Sequence, residues 1–327
     1  MTVQLLFVGL QEIGTSLAMA LAQASVDANR IGYDRDKQAG RAAQAAGAID
    51  KLVLNPYKAA RSADLVILTL PAADADQYLE DVADNIKAEG AILDCSPLKA
   101  SSFRWAAEHL KDAYYLGVIP VIRFDALHQL QTDYQDARAD LFTDSQLALV
   151  VPADVPERIL NITINIVDAI GAQPFFLDAA EMEAVTSLID TVPAALGLAL
   201  LRTASGSRGW PDVQRLAGRP FATGAYHAGQ QQAAHLSKKL LDNSQSLSVH
   251  LEAISQELET LRGLLTDGDE DHLAEYVSQA LVAHERWLAK RERADWEGDE
   301  LARAKISGGS LIGNLFGFDP NRGKRNS

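Results

Sequence analysis

Short apolar runs recur through the first half of the chain, at 5–8, 30–33, 65–69, 91–94, 114–118, 147–150 and 174–177. Between them lie Ala-rich segments at helical spacing, among them 16–24, 36–46, 73–86 and 101–109. Strands alternating with helices over short connections predict a doubly wound, mostly parallel sheet. Asn55-Pro56, Glu89-Gly90 and Val151-Pro152 mark the boundaries. After Asp178, a candidate N-cap, the strand signal ends. Residues 179–204 form a long apolar helix with a kink expected at Pro193. The stretch 205–220, rich in Gly, Ser, Arg and Pro, reads as a connecting loop, and 222–239 as a polar helical stretch. Leu247, Leu251, Ile254, Leu258, Leu261 and Leu265 step by four and three, the spacing of a helix that packs on another helix. Residues 266–269 break that run, and a last helix is expected from 270 to 304.

The fold class that follows is α/β: an N-terminal Rossmann-like doubly wound parallel sheet over 1–178, followed by an all-helical domain over 179–304. A Gly-rich tail over 305–327 reads either as a frayed terminus or as a docking peptide. The chain is organised around residues 3–34. An apolar strand runs into Gly9, Gly14 opens a helix, and a second strand ends at Tyr33-Asp34. That is the layout of a dinucleotide site, in which a helix N-terminus faces a pyrophosphate and a terminal carboxylate holds ribose hydroxyls. The middle glycine of the fingerprint is replaced by Gln11, and Glu12 adds a carboxylate to the first helical turn, where it could act as a built-in anion. The candidate nucleotide contacts are Gly9, Leu10, Gln11, Glu12, Ile13, Gly14, Asp34, Arg35 and Leu70. Asp34 favours NAD, Arg35 beside it could accept the 2′-phosphate of NADP, and Asp34 could equally cap the next helix.

The chain has 327 residues with 47% hydrophobic and 23% charged, enough for two domains with a sizeable core. A net charge of −14 argues against nucleic-acid or anionic-membrane partners. The single cysteine, Cys95, excludes an internal disulfide and a cysteine-based zinc site, and the seven histidines show no metal spacing, so no metal is expected. With no signal peptide evident and no apolar run judged long enough to span a bilayer, the expected location is the cytoplasm.

The motifs then add up. Gly9-Leu10-x-x-Ile13-Gly14-x-Ser16-Leu17-Ala18, Gly32-Tyr33-Asp34-Arg35-Asp36 and Ala63-Asp64-Leu65-Val66-Ile67-Leu68 resemble the prephenate/arogenate dehydrogenase family. Ala91-Ile92-Leu93-Asp94 followed by Lys99, Ala137-Arg138-Ala139-Asp140-Leu141-Phe142 and Val151-Pro152 extend the resemblance. In the helical half it continues in Ala180-Glu181-x-Glu183, Val192-Pro193 and Gly209-Trp210-x-Asp212-x-x-Arg215. It implies oxidative decarboxylation with NAD(P), as in tyrosine biosynthesis, and a homodimer formed through the helical domain. It also implies a histidine base and cations for the carboxylates of a small substrate.

Measured against that pattern, the histidine position is Ile119, the serine that steadies it falls at Pro97 with Ser96 one residue earlier, and two further polar positions read Asp190 and Ala194. Arg215 is the carried-over substrate ligand, with an ion pair to Asp212 as its alternative. The candidate catalytic residues are therefore Ser96, Arg215 and Asp190, the last able to act as a base if desolvated. Lys99 and Arg123 are further candidate anion contacts, and His128 and His227 lie near loops that could reach a cleft. Three functions remain open: a prephenate/arogenate dehydrogenase-like enzyme, weakened or redirected to another hydroxy acid; a dimeric pseudoenzyme serving binding or regulation; and another oxidoreductase of similar architecture.

Overall fold

The computed structural model describes residues 2–96 and 100–296, with backbone only at 72, 73, 100 and 101. The first half runs β1 (Val3–Val8), α1 (Glu12–Gln23), β2 (Ala28–Tyr33), α2 (Lys37–Ala45), β3 (Lys51–Leu52), α3 (Pro56–Ala60), β4 (Leu65–Leu68) and α4 (Ala72–Val82). It continues with β5 (Ala91–Asp94), α5 (Ala100–His109), β6 (Tyr114–Pro120), β7 (Ser145–Val150), α6 (Glu157–Ala169) and β8 (Ala172–Phe176). The eight strands lie in the order β3-β2-β1-β4-β5-β6-β7-β8. Every pair is parallel except β6 with β7, where Gly117 faces Val150.

The centre of the sheet is covered on both faces, which is why β1, β4 and β5 read as unbroken apolar runs. Side chains alternate across the sheet. Leu5 and Phe7 join α1 and α6 residues such as Leu17, Leu21 and Ile159. Leu6 and Val8 join α3 and α4 residues such as Ala60, Tyr78 and Leu79 on the other face. At the N-terminal edge Asp64 accepts from the Gln4 N–H at 2.9 Å and from Lys87 Nζ at 2.7 Å.

The chain steps outward from β1 to β2 and β3, then returns to the other side of β1 as β4. Beyond the C-terminal ends of β1 and β4 lies a topological switch point, the crevice where such sheets take ligands. The excursion between β6 and β7 folds back over α1, where the Arg138 N–H donates to Ser16 Oγ at 3.0 Å.

The second half is helical: α7 (Ala179–Thr186), a π turn over Ser187–Thr191, α8 (Val192–Ser205), α9 (Trp210–Leu216), α10 (Arg219–Gly229), α11 (Ala233–Asp242), α12 (Ser244–Asp267) and α13 (Glu270–Arg293). Asp178 caps α7 in a reciprocal capping box with Glu181. Several expectations are corrected here. The long helix is interrupted by the π turn just before Pro193. The expected loop at 205–220 contains α9, and the polar stretch at 222–239 divides into α10 and α11. Within the 27-residue run Ala179–Ser205 an 18-residue window has a mean hydropathy of 1.7, long and apolar enough to cross a membrane by length and composition alone, a test that the core helix of a soluble protein also passes; the sequence reading finds no such run. One side of it packs on α10, so closely that a Cβ on Gly197 would sit 3.0 Å from the Gly224 carbonyl oxygen.

α12 ends at Gly268, whose φ of +66° places it in the left-handed region. Of the leucine seam, Leu247 is buried, while Leu258 and Leu265 face outward. The chain divides into two compact units, Met1–Leu273 and Ala274–Ser327. The end of the last expected helix, beyond 296, and the whole 305–327 tail lie outside the described residues.

Candidate functional site

At the switch point the β1–α1 turn is held by close backbone contacts. Gly9 has φ +101°, and a Cβ there would lie 2.8 Å from the Thr69 carbonyl oxygen. A Cβ on Gly14 would lie 2.0 Å from the Gly9 carbonyl oxygen and 2.5 Å from Thr69 Oγ1. The Thr69 hydroxyl donates to that same Gly9 carbonyl at 2.8 Å. Only glycine fits at either place. Gln11, at the middle position, has an ordinary backbone (φ −77°), so a side chain is tolerated there.

Asp34 closes the turn from β2. Its carboxylate accepts the Leu10 N–H at 2.6 Å and the Asp36 N–H at 2.7 Å, and Gln11 Nε2 reaches it at 3.4 Å. The cap of α2 is Asp36, which accepts the Gln38 N–H; Asp34 stitches the glycine turn to the end of β2 instead. Arg35 pairs with Asp74 of α4 at 3.4 Å. Leu70 and Ile13 are half-buried beside the turn.

These residues fit a nucleotide unevenly. A carboxylate has about four acceptor positions, so Asp34 keeps capacity for ribose hydroxyls after its two backbone bonds. The first N–H groups of α1 point outward without intrahelical partners. Glu12, with no hydrogen bond among the described residues, sets a negative charge beside them, and the Gln11 amide lies toward Asp34.

At the ends of β5 and β6 the polar groups turn inward. Asp94 is fully buried and accepts the Ser96 N–H at 2.8 Å and the Tyr115 hydroxyl at 2.7 Å. Burial holds its carboxyl above the usual range, against the lowering effect of the Ser96 and Tyr115 donors, and Asp76 adds like charge. Tyr115 is raised by the same burial and by Asp94. Burial also pushes the Cys95 thiol up. Ser96 is thus committed to the Asp94 turn. Ile119 sits in an apolar cluster with Phe103, Phe175 and Ala179 around Ala148, Val150, Leu177 and Met182. The Pro97 and Lys99 positions lie outside the described residues.

In the helical half, Asp190 of the π turn meets Lys239 Nζ of α11 at 2.7 Å. The neighbouring Lys238 bonds Asp76 of α4 at 2.9 Å and Asp242 at 2.8 Å, which brings α11 against the helix that follows β4. Thr186, Ser187 and Thr191 are buried, and their hydroxyls have no hydrogen-bond partner among the described residues; nor does Asn243 Oδ1. The other side of the same turn is apolar and open, with Leu188 50% and Ile189 59% exposed.

The remaining candidates lie apart. Arg215 is exposed on α9, with no bond among the described residues to Asp190, Ser96 or Asp34. Arg123 pairs with Asp125 and Asp140 at 3.3 and 3.1 Å, an ion-pair network shared with Arg138. His128 and His227 are exposed. Among the described residues no group of His, Cys, Asp and Glu could hold a metal.

The sequence reading missed Thr69, whose polar side chain at the end of an apolar run was a usable signal, and the Tyr115–Asp94 bond between adjacent strands. It also missed Lys239 and the buried π-turn hydroxyls, for which helical periodicity gives no signal.

Residues 17–175 match the family model described as prephenate dehydrogenase, nucleotide-binding domain, a match that begins after the Gly9–Gly14 turn. The chain is 23% identical over 281 residues to a cyclohexadienyl dehydrogenase of Zymomonas mobilis, covering 84% of this chain and 93% of that one. In fold it is similar to a prephenate dehydrogenase from A. aeolicus solved with hydroxyphenyl propionate and NAD+. The TM-score is 0.74 at 18% identity, over 88% of this chain and 98% of that one. It is also similar to a Synechocystis arogenate dehydrogenase, with a TM-score of 0.67 at 17% identity, over 87% and 99% of the two chains.

Proposed function

We propose that the chain belongs, through its nucleotide-binding region, to the prephenate/arogenate dehydrogenase family and is an NAD(P)-dependent oxidoreductase acting on a small carboxylate. The observation that carries this reading is the turn at the switch point. Gly9 and Gly14 are sterically obligatory, and Asp34 both ties that turn to β2 and keeps acceptor capacity for a ribose. A nicotinamide cofactor would supply a hydride acceptor there. The protein's own part is to seat the adenosine end on Asp34, to direct the α1 N-terminus at the phosphates, and to hold the 94–96 turn rigid through Asp94, Ser96 and Tyr115.

What the chain lacks is an imidazole at 119. Ile119 cannot accept a proton, and losing a general base costs on the order of 10²–10⁴ in rate. Slow turnover of prephenate is the expected consequence. The same observation favours a second reading, a binding or regulatory module that retains the nucleotide site without efficient chemistry. The exposed apolar side of the 179–205 run, with Val185, Leu188, Ile189, Leu196 and Leu200, supports a homodimer formed through the helical half.

Calorimetric titration with NAD+ and NADP+, followed by a reduced-nicotinamide absorbance assay with prephenate and arogenate, tests the reading. Binding of NAD+ with slow turnover supports it. Binding with no turnover leaves the module. Failure of both nucleotides to bind at millimolar concentration removes the oxidoreductase reading.

A further inference from the structure

Asp34 and Arg35 stand side by side at the end of β2 and point to opposite cofactors. A carboxylate there suits the free ribose hydroxyls of NAD, and a guanidinium suits the 2′-phosphate of NADP. The structure gives the two side chains unequal freedom. Asp34 is pinned by both oxygens, Oδ2 to the Leu10 N–H at 2.6 Å and Oδ1 to the Asp36 N–H at 2.7 Å. Its carboxylate cannot swing aside for a phosphate without giving up a backbone bond. Arg35 already has a counter-charge: its Nη1 lies 3.4 Å from Oδ1 of Asp74, in the first turn of α4. Because β2 and β4 flank β1 in the sheet, this pair spans the end of β1, where the crevice opens. The Arg35 charge also bears on the hydroxyl of Tyr57, which donates to Asp81 at 3.1 Å, so the guanidinium lies among the acids of α4.

We propose that Asp74, by holding Arg35, makes the crevice select NAD+ and reject NADP+. The inference rests on the nucleotide reading above and names the cofactor of that same site. A 2′-phosphate would bring its charge to a carboxylate that is fixed in place, while the neighbouring cation is engaged elsewhere. Setting like charges against an unwanted ligand is a common source of selectivity. Asp74 lies outside the glycine fingerprint, on a helix that follows a different strand, so the sequence pattern around Asp34 leaves the choice open and the packing of α4 decides it. Arg35 is 82% exposed, so its tie to Asp74 is screened by water and salt. The share of the discrimination that Asp74 carries is therefore smaller than the share carried by Asp34.

NAD+ and NADP+ are each titrated calorimetrically into the full chain, into Asp74→Asn and Asp74→Glu, and into the double variant Asp74→Asn with Arg35→Ala, at low and at high salt. The wild type should bind NAD+ on the order of a hundredfold more tightly than NADP+. Asp74→Asn should raise NADP+ affinity about fivefold and leave NAD+ unchanged, and the retained NAD+ binding shows that the variant is folded. Asp74→Glu should keep the wild-type ratio. The double variant should lose the NADP+ gain, because that gain comes from a released guanidinium. High salt should shrink it as well. Equal binding of the two nucleotides by the wild type, a ratio unchanged in Asp74→Asn, or a gain that survives the loss of Arg35 overturns the inference and leaves the oxidoreductase reading standing. Failure of both nucleotides to bind the wild type overturns that reading and this inference together.

Discussion

Replacing Gly14 by alanine tests the nucleotide turn directly. The new Cβ would lie 2.0 Å from the Gly9 carbonyl oxygen and 2.5 Å from Thr69 Oγ1, inside the hydrogen bond those two atoms share. The nearer atom is backbone, so relief requires α1 to retreat until the gap reaches an ordinary contact of about 3.4 Å. Overpacking of this kind costs about 1–3 kcal/mol, and a displaced Thr69–Gly9 bond adds about 1 kcal/mol. A total of about 3 kcal/mol lowers Tm by roughly 10 °C for a unit of this size. Thermal unfolding of Gly14→Ala beside Gly229→Ala, where a Cβ meets nothing within 4 Å, isolates the effect. NAD+ affinity should fall in the first variant and hold in the second. If Gly14→Ala melts with the wild type and binds NAD+ equally well, the reasoning about this turn is wrong.

Asp34→Asn removes the charge from the acceptor of the Leu10 and Asp36 N–H groups and should cost about 1–2 kcal/mol in urea unfolding, with NAD+ affinity reduced on the order of tenfold. At the opposite edge of the sheet, burial opposes ionisation of Asp64, but Lys87 and the Gln4 N–H hold its carboxyl below the usual range. A depressed carboxyl stabilises the fold above the unfolded pKa of about 3.9 and loses that contribution as pH falls through the folded value. Urea midpoints of Lys87→Met should therefore drop at pH 7 and approach wild type only as pH falls below the unfolded value and through the lowered folded one, whereas an offset that stays constant down the whole acid range would exclude the ion pair as the cause. Ile189→Glu places a charge in the exposed apolar face and should convert a dimer to a monomer by light scattering; a wild-type monomer at micromolar concentration refutes that interface.

The sheet was legible because its central strands are buried on both faces, so Leu5 to Val8 and Leu65 to Leu68 carry their place in unbroken apolar runs. The two-residue edge strand at Lys51–Leu52 left no such trace, since it is too short and too polar for periodicity to register. The helical half was legible as helix but not in its breaks. Pro193 marked a break in the apolar run, but nothing within Ser187 to Thr191, all ordinary helix-compatible residues, told that the break takes the form of a π turn. The nucleotide turn could be read from Gly9, Gly14 and Asp34 because those residues are close in sequence and each has a steric or charge role. Lys239 could not, because its bond to Asp190 joins separate helices and depends on how they pack.

Ile119 is more than an absent base. It helps to glue the end of β6 to the first turn of α7 through Ala179 and Met182, with Phe103 and Phe175 alongside. A histidine introduced at this half-buried position would meet mostly apolar neighbours, which disfavour its charged form. A change of side chain at this position is felt by a whole joint between strand and helix.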